Sequence, residues 1–111
     1  MEYKVRLTDS GFQTLTQLSR YMIEYIGYDR ATALASSLLD LALQKLSGNP
    51  LQFSVLHELE ALGVIDYRAI YHDNYKIIFR LDEASQTCFV MAFLRQNQSV
   101  QQALYQVLLY K

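Results

Sequence analysis

The spacing of the hydrophobic residues changes along this chain and divides it into a helical part and a strand part. From Phe12 to Leu46 these residues recur every three or four positions, the repeat of an α-helix with one apolar face. From Tyr67 to Leu94 they alternate with polar residues or run continuously, as they do in strands. A short alternating stretch at residues 2–8 predicts one earlier strand. The pattern indicates an α+β fold.

Turn-forming and capping residues divide the helical part into two helices. Ser10 and Gln13 have the spacing of a capping box, which predicts that the first helix starts near residue 10 and ends at Gly27. Asp29 is the predicted N-cap of the second helix, and Pro50 prevents its continuation. Because so few residues separate the two helices, we expect an antiparallel helical hairpin.

Three further strands are predicted over residues 67–71, 75–81 and 87–94, and Ser99 is positioned to cap a closing helix. The order is β-α-α-β-β-β-α in a single domain over residues 1–111, with an antiparallel sheet packed against the helical hairpin. If every connection reverses the chain, the first strand lies beside the fourth in an all-antiparallel sheet. The predicted shared core comprises Val5, Leu15, Leu18, Leu38, Ile77, Phe79 and Val90.

Composition and charge exclude several classes of protein. Hydrophobic residues make up 51% and charged residues 19%, which predicts a folded body. The charged first residues and the lack of a long apolar run indicate a cytoplasmic protein without a membrane segment. A net charge of -1 argues against a broad nucleic-acid-binding surface. Cys88 lies in an apolar run and predicts a buried thiol, whereas His57 and His72 are too isolated for a metal site, so no metal or cofactor is expected.

The segment from Tyr67 to Arg95 resembles the RelE/ParE toxin superfamily. The family pattern is a strand with a basic residue, a short turn, an aromatic-basic-aliphatic-aliphatic-aromatic strand as in Tyr75–Phe79, and an apolar strand with a basic end. The element order extends the resemblance over nearly the whole chain. It implies the toxin of a type II toxin–antitoxin system, which arrests growth and is neutralised in a hetero-oligomer with a cognate antitoxin.

Two activities are known in that superfamily. RelE-like members cut messenger RNA on the ribosome, and ParE-like members, which include plasmid-stabilisation toxins, poison DNA gyrase. Ile70, Gln96 and Gln102 stand where the RelE pattern has a lysine, an arginine and a tyrosine. We therefore favour a ParE-like gyrase poison without catalytic residues of its own. The alternatives are a diverged non-toxic interaction domain and a ribosome-dependent endoribonuclease, whose catalytic residues would be Arg68, Lys76, Arg80 and Tyr105.

The resemblance also implies a surface that contacts the target or the antitoxin. Lys76 and Arg80 alternate with the apolar residues of their strand, so we expect them to face outward, away from the helices. A solvated sheet face explains the same cations without any partner. Tyrosines cluster near the end of the first helix and on the closing helix, where most of them border the core. Tyr105 and Tyr110 of the closing helix are the candidates for contact with a partner. The predicted target- or antitoxin-binding residues are Arg68, Lys76, Arg80, Arg95, Gln96, Asn97 and Tyr105.

Overall fold

The computed structural model describes residues 2–61, 63 and 66–109, with side chains omitted from 106 onward. It confirms the predicted order of the main elements, and it places a short helix before β2, within residues 55–62, where the sequence pattern is compatible with a helical turn. The elements are β1 (Lys4–Leu7), α1 (Asp9–Ile26), α2 (Tyr28–Gly48), a 3-10 turn (Pro50–Gln52), α3 (His57–Glu60), β2 (Tyr67–His72), β3 (Tyr75–Asp82), β4 (Thr87–Arg95) and α4 (Val100–Leu109). Within the described ranges, no helix is long and apolar enough to cross a membrane.

The four strands form one sheet in the order β1-β4-β3-β2. The β2–β3 and β3–β4 pairs are antiparallel, and β1 lies beside β4 as predicted. The predicted antiparallel direction of β1 is wrong, because β1 runs parallel to β4. The reason is that α1 continues in the direction of β1: its Ser10 bonds to Met91, and its Tyr21 contacts Arg95 further along β4. The chain first reverses at Gly27.

The helix ends differ in detail from the prediction. Thr8, and not Ser10, is the N-cap of α1, and its hydroxyl accepts a hydrogen bond from the amide of Gly11 at 3.0 Å. Gly27 ends α1 as expected, with a positive φ of 85° that favours glycine. The same glycine is the N-cap of α2, so the predicted role of Asp29 is wrong and this residue lies in the first turn.

Beyond the end of β1, α1 covers the edge of β4. Hydroxyl groups at the start of α1 bond to the backbone groups of β4 that a neighbouring strand would otherwise pair with. Thr8 Oγ1 donates to the carbonyl of Val90 at 2.7 Å, and Ser10 Oγ donates to that of Met91 at 2.9 Å. Thr14 Oγ1 accepts from the amide of Phe93 at 2.9 Å. This pattern satisfies backbone groups that would otherwise be buried without partners.

The sheet is buried on both faces. On the first face, α1 and α2 cover a core that contains six of the seven predicted residues, and Val5 packs against it while partly exposed. On the second face, α3 and α4 cover a smaller apolar cluster. Its members are Leu56, Leu59, Ala69, Ile78, Ala92, Leu94 and Val100. The central strands β3 and β4 therefore have no solvated face along most of their length.

Candidate functional site

The four predicted site cations on β2, β3 and β4 do not share one surface. Arg68 lies opposite Phe79, on the face covered by α1 and α2. Lys76 and Arg80 lie on the second face, as their alternation predicts, but α3 and α4 cover that face around Lys76 and leave Arg80 half-buried. Arg95 lies at the end of β4 against Tyr21 of α1. The predicted outward-facing position is therefore wrong for Lys76, which is buried, whereas Arg80 is half-buried. Periodicity indicates which face a residue takes, but not what covers that face.

Lys76 is buried, with 5% of its surface exposed. Its Nζ donates hydrogen bonds to the carbonyl of Gln96 at 3.0 Å and to that of Gln98. Burial lowers the pKa of this ammonium, although the carboxylate of Glu58 opposes the shift. Lys76 therefore ties the turn between β4 and α4 to the sheet, and two of its three donors are already used.

Arg68 joins β2 to the segment before α3. Its Nη1 donates to the carbonyl of Phe53, and Val55 forms a bridge with it along the outer edge of β2. Phe53 in turn meets the ring of Phe79 edge-on, with centroids 6.1 Å apart. The Arg68 Nε is buried without a hydrogen-bond partner among the described residues. These contacts indicate that Arg68 anchors the segment before α3 to β2.

Arg80 lies over the ring of Phe89, 4.6 Å from the centroid, on the second face of the sheet. Burial raises the pKa of the neighbouring Tyr67, and the charge of Arg80 opposes that increase. Tyr105 is 64% exposed on α4. Among the residues predicted to be catalytic if the chain were a nuclease, the sheet therefore separates Arg68 from Lys76 and Arg80.

Arg95, Gln96 and Asn97 are brought together at a groove of about 500 Å³ beside the end of β4. We call this cavity the Arg95 groove. The C-terminal half of α1 forms one wall, the turn between β2 and β3 a second, and the end of β4 with the following residues a third. The lining residues are Tyr21, Met22, Tyr25, Asn74, Tyr75, Arg95, Gln96 and Asn97.

The cation of the groove lies over one aromatic ring, which in turn contacts a second. The Arg95 guanidinium carbon lies 4.0 Å from the centroid of the Tyr21 ring, within the range of a cation–π contact. The Tyr21 and Tyr25 rings are 5.1 Å apart and tilted by 38°. The neighbouring Tyr21 hydroxyl raises the pKa of Tyr25 above its ordinary value. The sequence showed that these tyrosines lie near the end of the first helix, but not that α1 would bring Tyr21 to Arg95.

Gln96 fixes the opposite wall. Its Nε2 donates to the carbonyl of Asp73 at 2.6 Å, and its backbone amide donates to the carbonyl of Asn74 at 2.8 Å. Together with the bond from Lys76 to the Gln96 carbonyl, these contacts hold the residues after β4 against the β2–β3 turn. Gln96 therefore supports the shape of the groove and contributes no charge to it.

The guanidinium of Arg95 has no ionic partner in the part of the chain that the structure describes. The two close contacts between a basic and an acidic side chain found there are His57 with Glu60 at 3.6 Å and His72 with Asp73 at 3.4 Å, and each is an ion pair only when the histidine is protonated. None of the Arg95 groove's lining residues is acidic. The groove thus presents one half-buried positive charge beside aromatic and carboxamide side chains, which suits an anionic group better than a cation.

No protein-family model matches the sequence, and no curated protein matches it either. Solved structures do match the fold. A chain of the RelBE2 toxin–antitoxin complex from Mycobacterium tuberculosis superposes with a TM-score of 0.63 at 18% identity, over 86% of this chain and 99% of that one. A chain of the chromosomal ParDE system from P. aeruginosa superposes with a TM-score of 0.66 at 12% identity, over 85% of this chain and 96% of that one.

A mutant of the E. coli toxin RelE in the free state gives a TM-score of 0.54 at 14% identity, over 96% of this chain and 99% of that one. At such identities the likeness shows a shared fold. It includes both RelE and ParE structures and does not separate them.

Proposed function

We propose that this chain, which has the fold of the RelE and ParE toxins, is the toxin of a type II toxin–antitoxin system. In this proposal it arrests growth by poisoning DNA gyrase in the cytoplasm, and a cognate antitoxin neutralises it. The observation that supports binding over RNA cleavage is the separation of the cations by the sheet. Arg68 and Lys76 lie on opposite faces, and both are bonded to backbone carbonyls.

A nuclease of the RelE type requires several cations around one phosphate. Charge that develops in a phosphoryl-transfer transition state is stabilised by donors already aimed at it. Here the Lys76 ammonium is buried on two carbonyls, and Gln96 is a neutral residue bonded to the β2–β3 turn. Gln102 is exposed on α4 and is not a proton donor of the tyrosine type. These positions favour recognition of a protein target over cleavage of RNA.

The antitoxin belongs to the same proposal. Two of the three structures described above come from toxin–antitoxin systems, one solved as a complex. The Arg95 groove, the exposed Tyr105 and the half-buried Arg80 are the parts of the predicted binding set that remain accessible to such a partner.

The test uses the purified chain with gyrase and supercoiled or relaxed plasmid. We expect inhibition of supercoiling and accumulation of cleaved plasmid, with messenger RNA on stalled ribosomes left intact. Arg95→Ala should weaken the gyrase effect by at least about tenfold, because hydrogen bonds to charged groups contribute about 1.5–3 kcal/mol. Arg30→Ala, an exposed arginine of α2, is the matched control and should retain full effect.

Codon-positioned cleavage of ribosome-bound messenger RNA without an effect on gyrase would contradict the gyrase assignment and favour the RelE-like alternative. No growth arrest on expression of the chain without its antitoxin would contradict the toxin assignment as a whole and favour a non-toxic interaction domain.

A further inference from the structure

We infer that the Arg95 groove is a receptor for a carboxylate side chain with a neighbouring apolar side chain on an extended peptide segment. The inference rests on the proposed function for the source of that segment, which we assign to the antitoxin. Its chemistry rests on the groove alone. The central feature is an arginine that is stacked on tyrosine and has no carboxylate partner within the described residues.

Stacking prepares this guanidinium for a carboxylate. The Tyr21 ring lies against the guanidinium, 4.0 Å from its central carbon, while the guanidinium N–H groups make no hydrogen bond to any described residue. A carboxylate accepts two parallel bonds from those N–H groups, so little side-chain entropy remains to be lost on binding. Glu24 and Asp73 adjoin residues of the lining but are not part of it, and the Asp73 carboxylate lies 3.4 Å from the His72 ring nitrogen. No described acid competes for the site.

The remaining lining fits a peptide. Met22 and Tyr75 pack against the core and leave apolar surface in the groove beside Arg95. The side chains of Asn74 and Asn97 make no hydrogen bond to described residues, so they are available to the N–H and C=O groups of a backbone. A volume of about 500 Å³ exceeds the needs of one carboxylate and leaves room for the next apolar side chain.

A peptide is favoured over single-stranded nucleic acid. A phosphate backbone gains affinity by neutralising several charges along its path. Arg95 is the one cation among the lining residues, and the chain as a whole carries a net charge of -1. One isolated carboxylate beside an apolar residue matches this charge, whereas a polyanion does not.

The experiment is an NMR titration of the full-length, nitrogen-15-labelled chain. The probes are two acetylated and amidated pentapeptides with the central sequence leucine-glutamate-phenylalanine or leucine-glutamine-phenylalanine, together with a ten-residue oligothymidylate. The signals followed are the Arg95 Nε–H group and the amides of Tyr21, Tyr25 and Gln96. We expect the glutamate peptide to bind at least about tenfold more tightly than the glutamine peptide and to shift these signals.

Arg95→Gln should abolish the preference for glutamate, and Arg30→Gln should retain it. Because removal of the stacked cation can disturb α1, Arg95→Lys is the second variant: it keeps the charge, loses the planar fork, and should reduce the preference without abolishing it. Equal binding of the two peptides, unchanged preference in Arg95→Gln, or tighter binding of oligothymidylate at the same signals overturns the inference.

These outcomes are independent of toxicity. A glutamate preference in a chain that does not arrest growth would refute the proposed function and leave the groove assignment standing. Growth arrest without any glutamate preference would refute the groove assignment alone.

Discussion

Replacement of Thr14 by valine tests the way in which α1 is joined to β4. The two side chains have nearly the same shape and similar helix propensity, so the change removes little besides the hydroxyl. In the native chain that hydroxyl accepts a hydrogen bond from the amide of Phe93 at 2.9 Å and donates to the carbonyls of Ser10 and Gly11. Phe93 is 1% exposed, so water cannot replace the lost acceptor.

The expected loss follows from that single buried donor. An unsatisfied backbone N–H in the interior costs about 1–3 kcal/mol, whereas the carbonyls that Thr14 contacts within α1 keep their helical partners. Thr32→Val is the matched control, because the Thr32 hydroxyl bonds only to the carbonyl of Tyr28 on the exposed face of α2. We expect that control to change the free energy of unfolding by less than about 0.5 kcal/mol.

The measurement is urea-induced unfolding of the two variants and the native chain, followed by circular dichroism. With a denaturant slope of about 1–3 kcal/mol per molar, Thr14→Val should lower the midpoint by roughly 1 M. Thr14→Ser restores the hydroxyl and should recover part of the loss. Equal midpoints for the Thr14 and Thr32 valine variants would show that the hydroxyl contact with β4 does not stabilise the fold, and would refute the reasoning.

Three further predictions concern packing, the buried lysine and the thiol. Gly11→Ala should destabilise the fold by about 1–3 kcal/mol in the same urea assay, because a Cβ there would overlap the carbonyl oxygen of Val90. This loss is expected despite the better helix propensity of alanine. Unchanged stability would mean that α1 can move away from β4 at no cost. Lys76→Met should lower the free energy of unfolding by about 1–3 kcal/mol, because the turn after β4 loses its bonds to the ammonium group. The same change should speed hydrogen exchange of the backbone amides of residues 96–98. Exchange as slow as in the native chain would contradict this role of Lys76. Burial raises the pKa of the Cys88 thiol to about 11, so its contribution to stability is complete below the ordinary value of 9.0 and is lost as the pH rises toward 11. Iodoacetamide at about pH 9 should therefore modify the unfolded chain far faster than the folded one, and equal rates would disprove the burial.

The local structure of this protein follows closely from its sequence. Hydrophobic spacing indicated the main helices and strands, because a helix and a strand bury one face with different repeats. It also identified the core around Leu38 and Phe79 and the buried thiol of Cys88. The family resemblance predicted a site at the basic end after β4, and the structure places Arg95, Gln96 and Asn97 of that prediction in one groove, whose role stays a prediction.

The tertiary structure decided which elements run together and which faces are covered. The direction of β1 depends on α1 continuing along β4, a contact between residues about eighty positions apart that no local repeat encodes. Lys76 reads as an exposed cation by alternation, yet α3 and α4 cover its face and its charge is held on two backbone carbonyls. Tyr21 contacts Arg95 because α1 runs along β4 in the direction of β1, which is also why β1 is parallel to β4. The periodicity of a helix or strand indicates which of its faces packs against an apolar layer. The elements that cover its other face, and the contacts between residues distant in sequence, are fixed only when the whole chain packs.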